Sequence, residues 1–413
     1  MRLSITSDYR LRSLPDGSVW TDGPCPYRHW TRYLNEFSSV NVLARVTPAE
    51  KLSSSWQPLT GPGVSVSPLP NYQGALEFLR HRSQLRAAVR QSIAPDDALI
   101  LNGPSILASL VEGVIEPGRP YGMQVLGNPK DIFRPGMVKH PLRPLLGWWS
   151  TRRLTRQVQT ACATLYVTQH YLQQCFPCRG KSFGVSDVDL PPEAFREEAF
   201  PARPAGEPLT LVAVGTMTQM YKGFDVLLAA LAMLKSEGLR LRLRIVGDGN
   251  YRPQLEGQAQ SLGLADDVTF VGQLANGAAV RAELDRADLF VMPSRTEGLP
   301  RALVEAMARR LPCVASSVGG IPELLPPEDL CRPGCARSLA QRLRAVVQNP
   351  ARRERMAQRN YERSLNYRSE LLTSQRNAFY GDVAAQTSRW LREAARPRKL
   401  QMSLQPERAE ACR

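Results

Sequence analysis

Apolar and polar positions along the chain follow two rhythms. Short runs of β-branched and aliphatic residues read as strands. Between them lie stretches with apolar residues at three- and four-residue spacing, which read as helices. In the first half the pattern predicts strands at Arg2–Thr6, Val40–Val46, Val64–Pro68, Ala98–Asn102, Gly122–Leu126 and Thr164–Thr168. It predicts helices over Tyr27–Phe37, Gly74–Gln91, Ile106–Val114, Pro144–Thr160 and His170–Cys175. The second half is sharper. LTLVAVG (209–215) is a continuous apolar run, as in a strand covered on both faces, and Phe224–Ser236 has helical spacing. LRLRIVG (241–247) alternates and then becomes buried, and Val268–Val271, DLFVMPS (288–294) and CVAS (313–316) complete the strands. Ala278–Arg286 and Leu303–Arg310 are helical, Ile321–Leu325 is a short turn, and helices near Ser338–Gln348 and Ala351–Asn366 lead to a long one near Glu370–Ala394. Strands alternating with helices define a parallel α/β architecture.

At 413 residues the chain exceeds the size of a single core, so two domains are expected. A Pro-rich polar stretch around Asp187–Pro208 interrupts the periodicity. The division that follows is an N-terminal Rossmann-like domain over 1–190, a linker over 191–208 and a C-terminal Rossmann-like domain over 209–367. A C-terminal helix over 368–395 is expected to cross back to the first domain, and a disordered tail fills 396–413.

Composition narrows the classes of partner. The formal charge is +15, spread over both halves without a basic block interleaved with aromatics, so nucleic acid is not an expected partner. A diffuse positive field suits phosphorylated ligands or an anionic membrane face. The eight cysteines form no disulfide framework, and the close pairs Cys175/Cys178 and Cys331/Cys335 lack accompanying histidines, so no metal site is expected. There is no signal-peptide pattern, and no apolar run reaches the ~18 residues of a membrane span. A cytoplasmic location is expected, with peripheral contact at the inner face of the membrane.

Two segments carry chemistry. In VGTMTQMYKGFDVLL (214–228) a strand ends at Gly215 and a helix opens near Phe224, with Lys222 and Gly223 between them. Ligands of open α/β sheets sit at strand C-termini and helix N-termini attract anions, so Lys222 is placed to neutralise a diphosphate. The second segment is SRTEGLPRALVEAMARRLPCVASSVGGIPELL (294–325). Glu297 lies in the loop after a strand, and Glu305 lies on the helix that follows. Seven residues separate them, which lets both carboxylates face one crevice. Carboxylates accept paired hydrogen bonds from vicinal hydroxyls, as a bound ribose or hexose requires.

With IVGDG (245–249) and VTFVGQL (268–274) between them, these segments closely resemble the retaining glycosyltransferases of family 4, which have the GT-B fold of two Rossmann-like domains facing each other across a cleft. The resemblance covers nearly all of 209–367 and is looser in the first half, where WTDGPCPYRHWTRYLNEF (20–37) looks like the glycine-containing loop and helix facing the donor. It implies a nucleotide-sugar donor, a glycan, lipid-linked or small-molecule acceptor, and a role in polysaccharide or glycoconjugate biosynthesis, with neither cofactor nor metal. Lys222 would hold the donor diphosphate beside Gly215 and Thr216. Glu297 and the backbone of Gly298, Leu299 and Pro300 would contact the transferred sugar and its phosphate, and Glu305 the ribose. Gly272, Gln273 and Leu274 would border the base, and Gly23 would close over the phosphates. Lys222 and Glu297 are the expected catalytic residues.

Two departures stand out. Relatives often carry an arginine directly after the glycine equivalent to Gly215, where this chain has Thr216; Arg295 or Arg301 could compensate. Relatives also often place a histidine where VLGNPKDIF (125–133) has none, so Asn128 or Asp131 would substitute. A front-face retaining mechanism needs no protein base, because the leaving phosphate takes the acceptor proton. Two alternatives stay open: an epimerase-like enzyme of related fold and an inactive donor-binding homologue. PLRPLLGWWSTRRLTRQVQ (141–159) forms a basic amphipathic helix, with Leu142, Leu145, Leu146, Trp149 and Val158 near one face. It suits either an anionic bilayer or packing on a Rossmann sheet.

Overall fold

The computed structural model describes residues 1–23, 25–53, 56–133, 140–198 and 207–402. Its strands form two sheets. The first comprises β1 (Arg2–Ser13), β2 (Val19–Thr21), β3 (Ser39–Pro48), β4 (Gln57–Pro58), β5 (Val64–Leu69), β6 (Ala98–Gly103), β7 (Gly122–Val125), β8 (Ala163–Tyr166) and β9 (Lys181–Gly184). Its parallel body runs β5-β3-β1-β6-β7-β8-β9, and β2 and β4 form an antiparallel extension on the far end of β1. The second sheet comprises β10 (Leu209–Val214), β11 (Leu241–Val246), β12 (Val268–Gly272), β13 (Leu289–Met292), β14 (Cys313–Ser316) and β15 (Leu330–Cys331), all parallel in the order β12-β11-β10-β13-β14-β15. Both have the doubly wound order, which opens a crevice at the C-terminal ends of the strands flanking the switch point.

The crossovers of the first domain are α1 (Tyr27–Thr31), α2 (Gly74–Ser92), α3 (Ile106–Glu112), α4 (Pro129–Ile132), α5 (Arg143–Thr160) and α6 (Tyr171–Cys175). Those of the second are α7 (Phe224–Ser236), α8 (Arg252–Ser261), α9 (Ala278–Asp285), α10 (Arg301–Ala308) and α11 (Ala336–Val347), followed by α12 (Pro350–Ser364) and α13 (Ser369–Met402). Strand alternation sorts the core. Leu211, Ala213, Leu243, Ile245 and Val291 pack under α7 and α11, whose Leu227, Leu231, Leu339 and Leu343 are fully buried. Val212, Phe290 and Met292 face the other way, onto α10.

The chain crosses between domains twice, and the crossings are hydrogen-bonded to each other. The Leu190 amide donates to the Tyr367 carbonyl, and the Ser369 amide donates to the Leu190 carbonyl. Beyond the second crossing, α13 returns to the first sheet. Phe379, Tyr380 and Val383 are fully buried there, with the Tyr380 ring tilted against Tyr33 at 4.6 Å and Phe379 edge-on to Phe183 at 5.7 Å.

Several elements differ from expectation. The helix from Tyr27 tightens into a 3₁₀ turn over Arg32–Asn35, while β2, β4, β9, α8 and β15 have weak or very short hydrophobic patterns. The helix α13 extends past Arg396 to Met402. Positions 403–413 and 199–206 lie outside the described residues. The apolar face expected along 141–159 is divided: Leu154 and Val158 pack on the sheet, whereas Leu142, Leu145 and Trp149 are exposed. No described helix is long and apolar enough to cross a membrane.

Candidate active site

The site lies at the C-terminal edge of the second sheet, where β10, β12 and β13 end. Gly215 follows β10, and its missing side chain leaves room for the stem of Lys222, whose Cγ, Cδ and Cε pass about 3.0–3.1 Å from where a Cβ would sit. Gly223 then takes φ +70°, in the left-handed region, and opens α7 against the Pro293 carbonyl. Lys222 is thereby held between two strand ends. Its Nζ donates to Glu297 Oε1 at 2.7 Å, and Ser294 Oγ donates to the same oxygen at 2.6 Å. Burial alone would lower the Lys222 pKa, but Glu297 and Tyr221 outweigh it, so the ammonium is held above its ordinary value. The site thus pairs a permanent cation with a carboxylate that already accepts two hydrogen bonds.

The Glu297–Pro300 loop meets the first domain. A side chain at Gly298 would approach the Leu126 carbonyl to 3.1 Å, at the end of β7, and Val167 Cγ2 to 3.8 Å, after β8. A side chain here would push the two backbones apart by a few tenths of an ångström. Leu299 and Pro300 are buried behind the loop, and Pro300 caps α10. On α10, Glu305 is half-buried, and among the described residues no donor is hydrogen-bonded to its carboxylate. Burial raises its pKa, opposed by the charges of Arg301 and Arg281. A desolvated carboxylate of this kind favours partners such as sugar hydroxyls.

Gly272 closes β12 at φ +87°, with its carbonyl accepting from the Gly247 amide at 2.9 Å. Gln273 is exposed beyond it and Leu274 half-buried, forming a rim on the same sheet edge. Gly23 stands apart from the Lys222–Glu297 pair. It packs against Tyr9, and its amide donates to Thr21 Oγ1 at 2.9 Å. Arg301 connects the two walls, because its charge acts on Tyr9, Cys25 and His29 of the first domain as well as on Glu305.

The two departures resolve differently from expectation. Thr216 accepts from the Thr218 amide at 3.2 Å, a local turn that supplies no cation. Arg295 is no substitute either, since it makes a two-pronged pair with Asp225 at 2.7 and 2.8 Å and donates to the Met220 carbonyl. It braces the loop that carries Lys222. Arg301 is exposed at the first position of α10. Asn128 and Asp131 are buried: Asn128 caps α4 and donates to Tyr171, and the Tyr171 hydroxyl donates to Asp131. These bonds tie both residues to Tyr171 at the start of α6. No cluster of three or more potential metal ligands occurs among the described residues.

One contributor was not apparent beforehand. Glu323, at the end of the GGIPE run, reaches across the cleft and accepts the amides of Gln169, His170 and Tyr171 at 2.7, 3.1 and 2.6 Å. A carboxylate from one domain therefore caps α6 of the other. Its only sequence signal was a glutamate three residues after a Gly-Gly turn.

The chain is similar in sequence and fold to known proteins. Residues 195–363 match the family "Glycosyl transferases group 1". Protein CapJ of Staphylococcus aureus is 25% identical over 379 residues, covering 91% of this chain and 94% of that protein. The putative colanic acid biosynthesis glycosyltransferase WcaL of Escherichia coli is 37% identical over 157 residues, but this spans only 36% of this chain and 38% of WcaL. The Anabaena HepE structure in complex with UDP and glucose superposes with a TM-score of 0.63 at 17% identity, covering 92% of this chain and 98% of that one. Residues 195–363 are therefore similar to the group 1 glycosyltransferases, and the whole chain has a fold of the GT-B kind.

Proposed function

We propose that the protein is a retaining glycosyltransferase that moves a sugar from a nucleoside diphosphate donor to a glycan or lipid-linked acceptor, without a divalent metal, in assembly of a polysaccharide or glycoconjugate. The observation that carries this reading is the Lys222–Glu297–Ser294 cluster beneath a loop that meets the opposite domain at Gly298. Lys222 faces the donor diphosphate and takes up charge as the bond from the anomeric carbon to the phosphate oxygen breaks. The Gly298–Pro300 backbone and the N-terminus of α10 flank the same phosphates. Glu297 orients the sugar through its hydroxyls, and Glu305 receives the ribose. The acceptor hydroxyl attacks the face that the phosphate leaves, and its proton passes to the departing phosphate oxygen. The resemblance to WcaL, named for colanic acid biosynthesis, supports the polysaccharide assignment, and HepE, solved with UDP and glucose, supports a nucleoside diphosphate donor.

Thermal-shift screening against UDP-, GDP-, ADP- and dTDP-sugars identifies the donor, since a ligand stabilises the state it binds. Turnover of that donor in EDTA is then expected to equal turnover with Mn²⁺. Activity abolished by EDTA and restored by Mn²⁺ would remove the metal-independent reading, and isomerised donor without transfer would remove the transferase.

A further inference from the structure

The exposed end of α5 is unusual for a domain surface. Its C-terminal turns bury Leu154, Gln157 and Val158 to within 1%. At its N-terminal end, Leu142, Leu145, Trp148 and Trp149 are 55%, 56%, 59% and 45% exposed. Ile132 on α4 and Ile106 on α3 extend the patch at 46% and 39%. Water-soluble surfaces rarely gather this many large apolar side chains without a partner.

Cations surround the patch. The Arg152 guanidinium lies 5.9 Å from the Trp148 ring centroid, and Arg153 lies 5.0 Å from that of Trp149. Arg156 pairs with Glu112 at 2.8 Å, whereas no carboxylate among the described residues ion-pairs with Arg82, Arg143 or Arg152. Beside Trp149, a groove of about 330 Å³ between α2, α3 and α5 has Phe78, Ile106 and Leu110 in its walls and Arg82, Arg86 and Arg153 along it.

We propose that this face seats the protein on an anionic lipid bilayer. Leu142, Leu145, Trp148 and Trp149 enter the boundary between headgroups and acyl chains, and the arginines lie against lipid phosphates. Indole rings favour that boundary, and arginine reaches from an apolar surface to an anionic layer. Charge complementarity selects the occupant. A second copy of this chain would oppose arginine to arginine, and an acidic soluble protein would leave the leucines and indoles uncovered. Seating by this face also brings the cleft to the headgroups, because the connection from Leu126, which meets Gly298, runs directly into α4. Bilayer binding does not depend on the glycosyl-transfer reading.

The test is co-sedimentation of the full chain with vesicles of phosphatidylcholine, alone or mixed with phosphatidylglycerol. Wild type is expected to pellet with the mixed vesicles at low salt and to be released by high salt. Leu145→Ser/Trp148→Ser should lower partitioning at least about tenfold. Arg143→Glu/Arg152→Glu should cost about fivefold or more for each cation removed, on mixed vesicles only. None of the four positions belongs to the proposed donor site, so unchanged circular dichroism and nucleotide-sugar thermal shifts verify folding. The proposal is overturned if wild type stays in the supernatant with anionic vesicles at low salt, or if Leu145→Ser/Trp148→Ser sediments like wild type. A dimer in light scattering that the same substitutions dissolve would assign the face to self-association instead.

Discussion

Lys222→Ala tests the site on two independent scales. In the free protein Lys222 and Glu297 are 15% and 8% exposed and 2.7 Å apart. Removing one partner of a buried pair costs about 3–5 kcal/mol, because the other charge is left uncompensated. Ser294 still donates to the orphaned oxygen, and the residual exposure admits some water, so about 2–3 kcal/mol is expected here. For a domain of this size each kcal/mol shifts Tm by roughly 2–4 °C, which gives a loss of about 4–12 °C. The effect on catalysis is separate. On the proposed function Lys222 opposes charge that grows as the donor bond breaks, so its loss should lower kcat about tenfold to hundredfold, the worth of one charge-assisted hydrogen bond. Neither position 216, a threonine, nor Arg295, committed to Asp225, supplies a second cation to share the loss. Lys222→Ala/Glu297→Gln separates the two scales. It removes the orphaned charge and should recover most of the Tm, yet it should stay as slow as the single variant or slower. Differential scanning calorimetry and steady-state kinetics measure both. A single variant with wild-type Tm, kcat and donor KM would refute the assignment, and so would a double variant that regains turnover.

Three further outcomes follow from the geometry. Burial raises the Glu305 pKa, so the folded state holds that proton more tightly than the unfolded chain and loses stability as pH rises through the raised value. Glu305→Gln should therefore raise Tm at neutral pH, with the gap closing toward about pH 4, while donor KM rises about tenfold to hundredfold with little change in kcat; an equal gap at both pH values would contradict this. Gly223→Ala should cost more than about 2 kcal/mol in urea denaturation, since left-handed backbone and a Cβ against the Pro293 carbonyl act together, and an unchanged midpoint would exclude it. Glu323→Ala should speed amide exchange at Gln169, His170 and Tyr171 by about tenfold, an interaction of about 1 kcal/mol or more, while β10–β14 stay protected; uniform exchange across the chain would mean that the cap does not join the domains.

The parallel strands and long helices were legible because burial on both faces leaves a continuous apolar run, and Phe224–Ser236 appears with the boundaries its spacing predicts. Elements held by context were not: β4 is two residues long and α8 mostly polar, so neither imposes a period. Lys222 and Glu297 stood out by their place at strand ends, and the structure joins them by a hydrogen bond that spacing could not reveal. The role of Glu323 was hidden because its partners are backbone amides far away in sequence, which carry no residue signature. Arg295 misled for the complementary reason: its charge was visible, but its engagement with Asp225 was not.

The return of α13 to the first sheet governs the order in which the chain can mature during synthesis. Tyr33 and Phe183 emerge before the second domain, and Tyr380 and Phe379, which cover them, only after it. Domains usually complete themselves from the N-terminus as translation proceeds. Here the second domain can finish its sheet first, while the first waits with an apolar face uncovered, a stage at which chaperone capture or aggregation would compete. A frameshift or stop codon just before Phe379 would leave every donor-site residue in place and still strip the cover from the opposite domain.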